Sequence, residues 1–207
     1  MMCYNSGMDT HAATKQGKLI GLTGLYCAGK NYAASIFEKH GIPVFDVDKA
    51  GHEAIETKKY AITARFGDAV LDEDGRIDRK KLGERVFGKP EELRALEAIV
   101  HPEVNRAANT WIKAHKGTTV VINAALLHKC DCFDRLNTVI VIRAPLPVRL
   151  WRAKKRDHLP LAQLLRRFAA QRTFSAQYCR KNTDIRVIVL DNFGSGIERN
   201  LTGLSLF

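Results

Sequence analysis

Hydrophobic positions along the chain follow two periods. Short unbroken apolar runs alternate with stretches in which apolar residues recur at helical spacing. The first run, Lys18 to Thr23, ends at Gly24 and predicts a buried strand. Residues 30–40 then carry Ala33, Ala34, Ile36 and Phe37 on one helical face, which Gly41 stops from the C′ position. Ile42 to Phe45 predicts a second strand closing on Asp46-Val47-Asp48. Residues 49–116 show only helical patterns, broken by the acidic turn Leu71-Asp72-Glu73-Asp74-Gly75 and by Gly88-Lys89-Pro90. Thr118 to Ile122 and Asn137 to Ile142 predict two β-branched strands. A basic helical stretch precedes a fifth strand at Arg186 to Leu190.

Strands separated by helical crossovers imply an α/β fold with a parallel sheet covered on both faces. The block at 49–116 is too long for one crossover and reads as an inserted helical subdomain. Residues 1–17 are polar, lack a signal-peptide core and are expected to be a disordered extension. Residues 18–207 are then one domain: core at 18–48, 117–145 and 185–200, insertion at 49–116, and the basic segment 146–184. With 207 residues, 45% hydrophobic and 27% charged, the chain can bury a full core without disulfide or metal. No apolar run approaches the ~18 residues that a membrane span needs. Five irregularly spaced cysteines form no disulfide framework, so a reducing cytoplasm is the expected compartment.

The net charge of +11 leaves two partner classes open, nucleic acid and polyanionic small molecules. Its basic residues thicken between Arg143 and Arg186.

Gly24-Leu25-Tyr26-Cys27-Ala28-Gly29-Lys30-Asn31 fits the phosphate loop G-x-x-x-x-G-K, between a predicted strand and a predicted helix. Such a loop turns successive backbone N–H groups onto one phosphate group, and its lysine reaches the outer phosphates. The next residue normally offers a hydroxyl to Mg²⁺. Asn31 offers a neutral amide oxygen one atom farther out. Asp46 and Asp48 close the second strand at the sheet end where ligands bind. Alternation along an extended segment would turn both toward the cleft, and helix capping is the competing role for Asp46. Arg152 and Arg156 share a helix face, and with Arg167 they suit a lid over a transferring phosphoryl group.

From Leu19 to Ser195 the chain resembles the dephospho-coenzyme A kinases of the phosphate-loop kinase group. The blocks that carry the likeness begin with Ile20-Gly21-Leu22-Thr23-Gly24 and Gly41-Ile42-Pro43-Val44-Phe45-Asp46-Val47-Asp48. Phe66-Gly67, Leu71 through Arg79 and Arg85-Val86-Phe87 follow, then Ile99-Val100-His101-Pro102. Arg156-Asp157, Arg167 through Gln171 and Leu190-Asp191-Asn192-Phe193-Gly194 complete the series. The resemblance implies a phosphate-loop kinase fold: a five-stranded parallel sheet with flanking helices, a helical substrate-binding insertion and an arginine-rich lid. It implies ATP with Mg²⁺, and transfer to the ribose 3′-hydroxyl of dephospho-coenzyme A. Carried over by motif, Gly24, Cys27, Ala28, Gly29, Lys30, Asn31 and Tyr32 would bind the nucleotide. Lys30 would hold the β- and γ-phosphates, Asp48 would act on the hydroxyl, and Asn31 with Asp48 would take the metal. Arg156 and Arg167 would belong to the lid, and Asn192 would contact adenine. A small-molecule substrate, no nucleic acid, no membrane, and a monomer or weak homo-oligomer are the matching expectations. A related kinase on another nucleoside, or a nucleotide-binding homologue without turnover, is the alternative.

The departures sit near the chemistry. The family norm is Gly-Gly-Ile-Gly-Ser-Gly-Lys followed by Ser or Thr, whereas Leu25, Cys27, Ala28 and Asn31 stand here. After the third strand, Pro-Leu-Leu, an apolar residue and Glu are usual. Asn123-Ala124-Ala125-Leu126-Leu127-His128-Lys129 keeps only the leucines, and Lys129 reverses the charge. Residues 182–184 read as an insertion. Cys130-Asp131-Cys132 lacks the second ligand pair of a zinc site. Cys27 is either a reactive thiol or a small filler.

Overall fold

The computed structural model describes residues 17–169, 185–194 and 196–204. The expected extension, apart from Gly17, lies outside these residues, as do the lid stretch 170–184 with its insertion and the end of the tail, residues 205–207.

Five strands form one all-parallel sheet in the order β2-β3-β1-β4-β5. They are β1 (Leu19–Gly24), β2 (Val44–Asp46), β3 (Val120–Asn123), β4 (Thr138–Arg143) and β5 (Arg186–Asp191). β1 lies in the middle, and Ile20, Leu22, Val121, Ile122, Ile140 and Ile142 are buried. Burial on both faces is why β1, β3 and β4 read as unbroken apolar runs rather than alternating ones. The third strand starts at Val120 and not Thr118, because Gly117 adopts φ 84° and Thr118 N–H closes a turn on His115 O.

α1 (Lys30–Lys39) leaves the loop after β1 and buries Ala33, Ala34, Ile36 and Phe37 against the sheet. Two alanines let the helix axis approach the strands closely. Gly41, at φ 74°, ends it as predicted. α2 (Val47–Thr57), α3 (Lys59–Phe66), α4 (Arg79–Val86) and α5 (Pro90–Ala114) build the helical block beside β2 and β3. Ile62, Phe66, Val70, Leu82, Val86, Val100 and Val104 give that block a core of its own. Among the described residues, two helices lie between β4 and β5: α6 (Leu146–Asp157) and α7 (Leu161–Ala169). α8 (Ile197–Thr202) closes the far side, packing Ile197 and Leu201 into the α1 core.

The second strand ends earlier than the sequence suggests. β2 stops at Asp46, and α2 begins at Val47. Asp46 is the N-cap, accepting from Lys49 N–H at 3.0 Å, so the alternation argued for Asp46 and Asp48 does not apply. Capping won because a short edge strand running straight into a helix leaves orphan N–H groups that a carboxylate satisfies.

Candidate active site

The phosphate loop joins β1 to α1 at the carboxyl edge of the sheet. Leu25 N–H donates to Ile142 O at 3.1 Å, and Ala28 N–H to Leu25 O at 2.9 Å, which folds the loop back over β4. Gly29 is the N-cap of α1 at φ 96°, and a Cβ there would collide with Asn192 Nδ2. Only glycine meets both conditions. The loop opens onto a cavity of about 470 Å³ lined by Gly24, Gly29, Lys30, Asn31 and Tyr32 from its own side and by Arg152 and Arg156 from α6. Helix N-termini and loop amides at such a mouth favour anions.

Lys30 Nζ lies 2.7 Å from Asp48 Oδ2. Asp48 Oδ1 also accepts from Ala125 N–H at 3.4 Å, which ties the first turn of α2 to the end of β3. Asp48 therefore reaches the site from a helix, where the sequence pattern suggested a strand. A second cavity, about 450 Å³ and mostly apolar, runs under the helical block. Val47, Ile55, Leu96, Val100, Val104 and Leu126 give it greasy walls, and His52 and His101 add polar points. Asp48 and Ala125 line both cavities and mark the seam between them. Lys129, the reversed charge, pairs with Glu97 at 2.6 Å at the wall of the apolar cavity.

Asn123, at the end of β3, is 1% exposed. Its Nδ2 donates to Asn31 Oδ1 and to Asp46 Oδ2, both at 3.3 Å. Its own Oδ1 is buried with no hydrogen-bond partner among the described residues. Asn31, Asp46 and Asp48 thus supply hard oxygen donors around Lys30. No group of three or more His, Cys, Asp or Glu gathers to hold a metal among the described residues. The donors that fit Mg²⁺ are oxygens of this kind, since the ion is held by one or two carboxylates together with phosphate oxygens and waters rather than by a protein cage.

Asn192, Arg167 and Cys27 each have defined surroundings, and Cys27 lines the loop cavity. Asn192, for which the resemblance implies an adenine contact, is buried under the loop with Nδ2 donating to Ala28 O at 2.8 Å. Arg167 points to Tyr26, its Nη1 donating to the hydroxyl at 3.2 Å, and not into the loop cavity. Cys27 adopts φ 57°, and burial pushes its thiol up against the opposing pull of Arg156. A thiol held protonated favours the filler reading. Cys132 is buried, its thiol held down first by a hydrogen bond with Cys130, whose own thiol the same contact pushes up.

Arg152 was legible only as a neighbour of Arg156. Its Nη1 donates to Ala28 O at 3.2 Å and its Nη2 to Asn192 O at 3.3 Å, clasping the loop to the end of β5. Arg149 is 7% exposed, donates from Nε to Tyr26 O at 2.9 Å and lies 4.7 Å over the Phe168 ring. Sequence spacing alone does not separate such structural arginines from those that face a ligand.

A parallel sheet with a phosphate loop after its central strand, and arginines from a following helix over that loop, defines a phosphate-loop kinase that uses a nucleotide. Comparison with known sequences narrows this. A sequence model of the dephospho-CoA kinases matches residues 18–195. The dephospho-CoA kinase of Bacillus licheniformis is 38% identical over 184 residues, covering 86% of this chain and 89% of the relative. That of Shouchella clausii is 34% identical over 182 residues, covering 85% and 90%. A crystal structure from Thermus thermophilus, TT1252, superposes with a TM-score of 0.77 at 34% identity, over 92% of this chain and 97% of that one. The chain belongs to the dephospho-CoA kinase family.

Proposed function

We propose that this protein transfers the γ-phosphoryl group of ATP to the ribose 3′-hydroxyl of dephospho-coenzyme A, giving coenzyme A and ADP. The observation that carries the reading is the position of Asp48 at the seam between the phosphate-loop cavity and the apolar cavity. The loop cavity takes the triphosphate. The apolar cavity suits an acceptor with a long, weakly polar arm, and Asp48 sits where hydroxyl and phosphorus would meet.

Lys30 and Asp48 hold each other in the free protein. Phosphate oxygens would draw Lys30 away, which frees the Asp48 carboxylate to orient the hydroxyl and take its proton. Loop N–H groups and Lys30 would fix the β- and γ-phosphates, and Arg156 would spread charge on the transferring group. Asn31 and Asp48 would hold Mg²⁺, which when bound supplies neutralising charge between the phosphates. Arg152 and Asn192 keep the loop in shape from beneath. Arg152 and Arg156 at the wall of the loop cavity support a polyanionic small molecule over nucleic acid as a reason for the basic charge. The free thiols Cys27, Cys130 and Cys132 support a reducing cytoplasm. No helix among the described residues is long and apolar enough to cross a membrane.

A coupled ADP-release assay tests this, with dephospho-coenzyme A beside adenosine and other nucleosides and with mass spectrometry of the product. Selective 3′-phosphorylation of dephospho-coenzyme A is expected. Equal rates on nucleosides lacking the pantetheine arm would overturn the acceptor assignment. One observation favours a second reading, a nucleotide binder without turnover: Asn31 Oδ1, the expected metal ligand, is engaged by Asn123. ATP binding with no ADP release would establish it.

A further inference from the structure

Tyr26 occupies the middle of the phosphate loop. An aliphatic side chain there has neither hydroxyl nor π-face. Here both are used, by residues of the lid helices α6 and α7. The hydroxyl donates to Asp157 Oδ2 at the end of α6 and accepts from Arg167 Nη1 of α7 at 3.2 Å. Arg156 and Arg167 lie over the ring, with guanidinium carbons 5.2 Å and 5.7 Å from its centroid. Asp157 grips Arg156 from the other side with two bonds, Nε to Oδ1 at 2.7 Å and Nη2 to Oδ2 at 3.2 Å. Phe168 meets the ring edge-on at 5.4 Å. The backbone is held as well, since Arg149 takes the Tyr26 carbonyl.

An arginine side chain is long and loses rotamer freedom when it is fixed over a phosphate. Arg156 is already fixed, between a carboxylate and an aromatic face, while its helix borders the loop cavity. A cation over an aromatic ring and a bidentate guanidinium–carboxylate pair are each directional, so together they set where the guanidinium points. The ring belongs to the same loop that would cradle the phosphates. Loop and lid are therefore not independent bodies at this point.

We propose that Tyr26 is a positioning residue for phosphoryl transfer, joining the phosphate loop to the lid so that Arg156 stands ready over the transferring group. Arg167 serves this unit as a tie between α7 and the loop and does not contact phosphate itself. The inference rests on the phosphoryl-transfer reading above, and it adds to that reading a residue whose side chain acts through the lid.

The test uses the full chain with Tyr26→Phe and Tyr26→Ile, each alone and in an Arg156→Ala background. Phenylalanine keeps the ring and loses the hydroxyl bonds; isoleucine loses both. Turnover should fall about threefold for Tyr26→Phe and about tenfold or more for Tyr26→Ile, with the KM for ATP changed by less than about threefold. In the Arg156→Ala background the Tyr26→Ile loss should shrink to less than about twofold, because the residue through which Tyr26 acts is gone. Equal proportional losses in both backgrounds would overturn the proposal, as would parallel losses in turnover and ATP affinity, which mark simple loop damage. A second readout needs no turnover. The Arg156 Nε–H resonance, assigned by its loss in Arg156→Ala, should exchange with solvent at least several-fold faster in Tyr26→Ile than in wild type. Unchanged exchange would overturn the positioning role even if activity fell. Failure of the wild type to phosphorylate dephospho-coenzyme A would instead count against the function reading, and the exchange measurement would still decide whether Tyr26 holds the arginine.

Discussion

Asp48 shows how one side chain can answer to two cavities. Its carboxylate pairs with Lys30 toward the loop and borders the apolar cavity on the other side. Asp48→Asn keeps the shape and the contact with Ala125 but cannot take a proton. We expect turnover to fall by ~100–10,000-fold, the usual span for general-base assistance, while ATP affinity changes little. Comparable losses in both quantities, read from kinetics and nucleotide titration, would place Asp48 in ground-state nucleotide binding. Asn31 is the second case at this scale. Serine is shorter and cannot reach Asn123, so Asn31→Ser leaves a buried amide short of one acceptor. A hydrogen bond of this kind contributes about 1 kcal/mol, so melting should drop by a few degrees. The hydroxyl can meet Mg²⁺ without folding back, so half-maximal rate should need less Mg²⁺. A higher Mg²⁺ requirement in the variant would identify the amide as an adapted ligand.

The helices around the site rest on separate cores. Leu82 of α4 is 2% exposed inside the helical block, in the same cluster as Val100 and Val104, which line the apolar cavity. Leu82→Ala should cost ~2–5 kcal/mol where the cavity cannot collapse. Because that core is remote from the phosphate loop, the KM for the acceptor should rise well before nucleotide affinity is lost. Chemical denaturation with nucleotide and acceptor titrations checks the order, and simultaneous loss of both would show one cooperative unit. The lid contact between α6 and the loop has its own signature in pH. Arg156 above all, and then the Tyr26 hydroxyl, hold the Asp157 carboxyl below its usual range. Burial, then Asp157, pushes the Tyr26 phenol up. A lowered acid stabilises above its unfolded value near ~3.9 and loses that contribution as pH falls through the folded one; a raised phenol stabilises below ~10 and loses it as pH rises further. The melting difference between wild type and Asp157→Asn should thus be flat from about pH 5 to 9 and close toward pH 3. A slope near neutrality would reveal another titrating group in the unit.

At the scale of the whole molecule, chain order and hydrophobic period were enough for most of the architecture. Buried parallel strands appear as unbroken apolar runs, and each of the five was legible within a few residues, as was the helical block between β2 and β3. The phosphate loop was equally legible, because its chemistry lies within eight consecutive residues and its glycines answer local backbone demands. What the sequence could not supply were contacts between residues far apart in the chain. Whether Asp46 would cap a helix or face the cleft depended on where β2 stopped. Asn192 lies 164 residues from the carbonyl it holds, Asn123 lies 92 from Asn31, and Tyr26 lies 131 from Asp157. Spacing reports which residues share a face of one element, since the helix and strand repeats are local. It is silent on which faces of different elements meet, because that depends on how the cores pack. The sequence by itself therefore determined the kind of fold and the place of the phosphate loop between β1 and α1. Tertiary structure decided which arginines face the phosphate site and which hold the loop, and it alone brought Asp48 to the seam of two cavities.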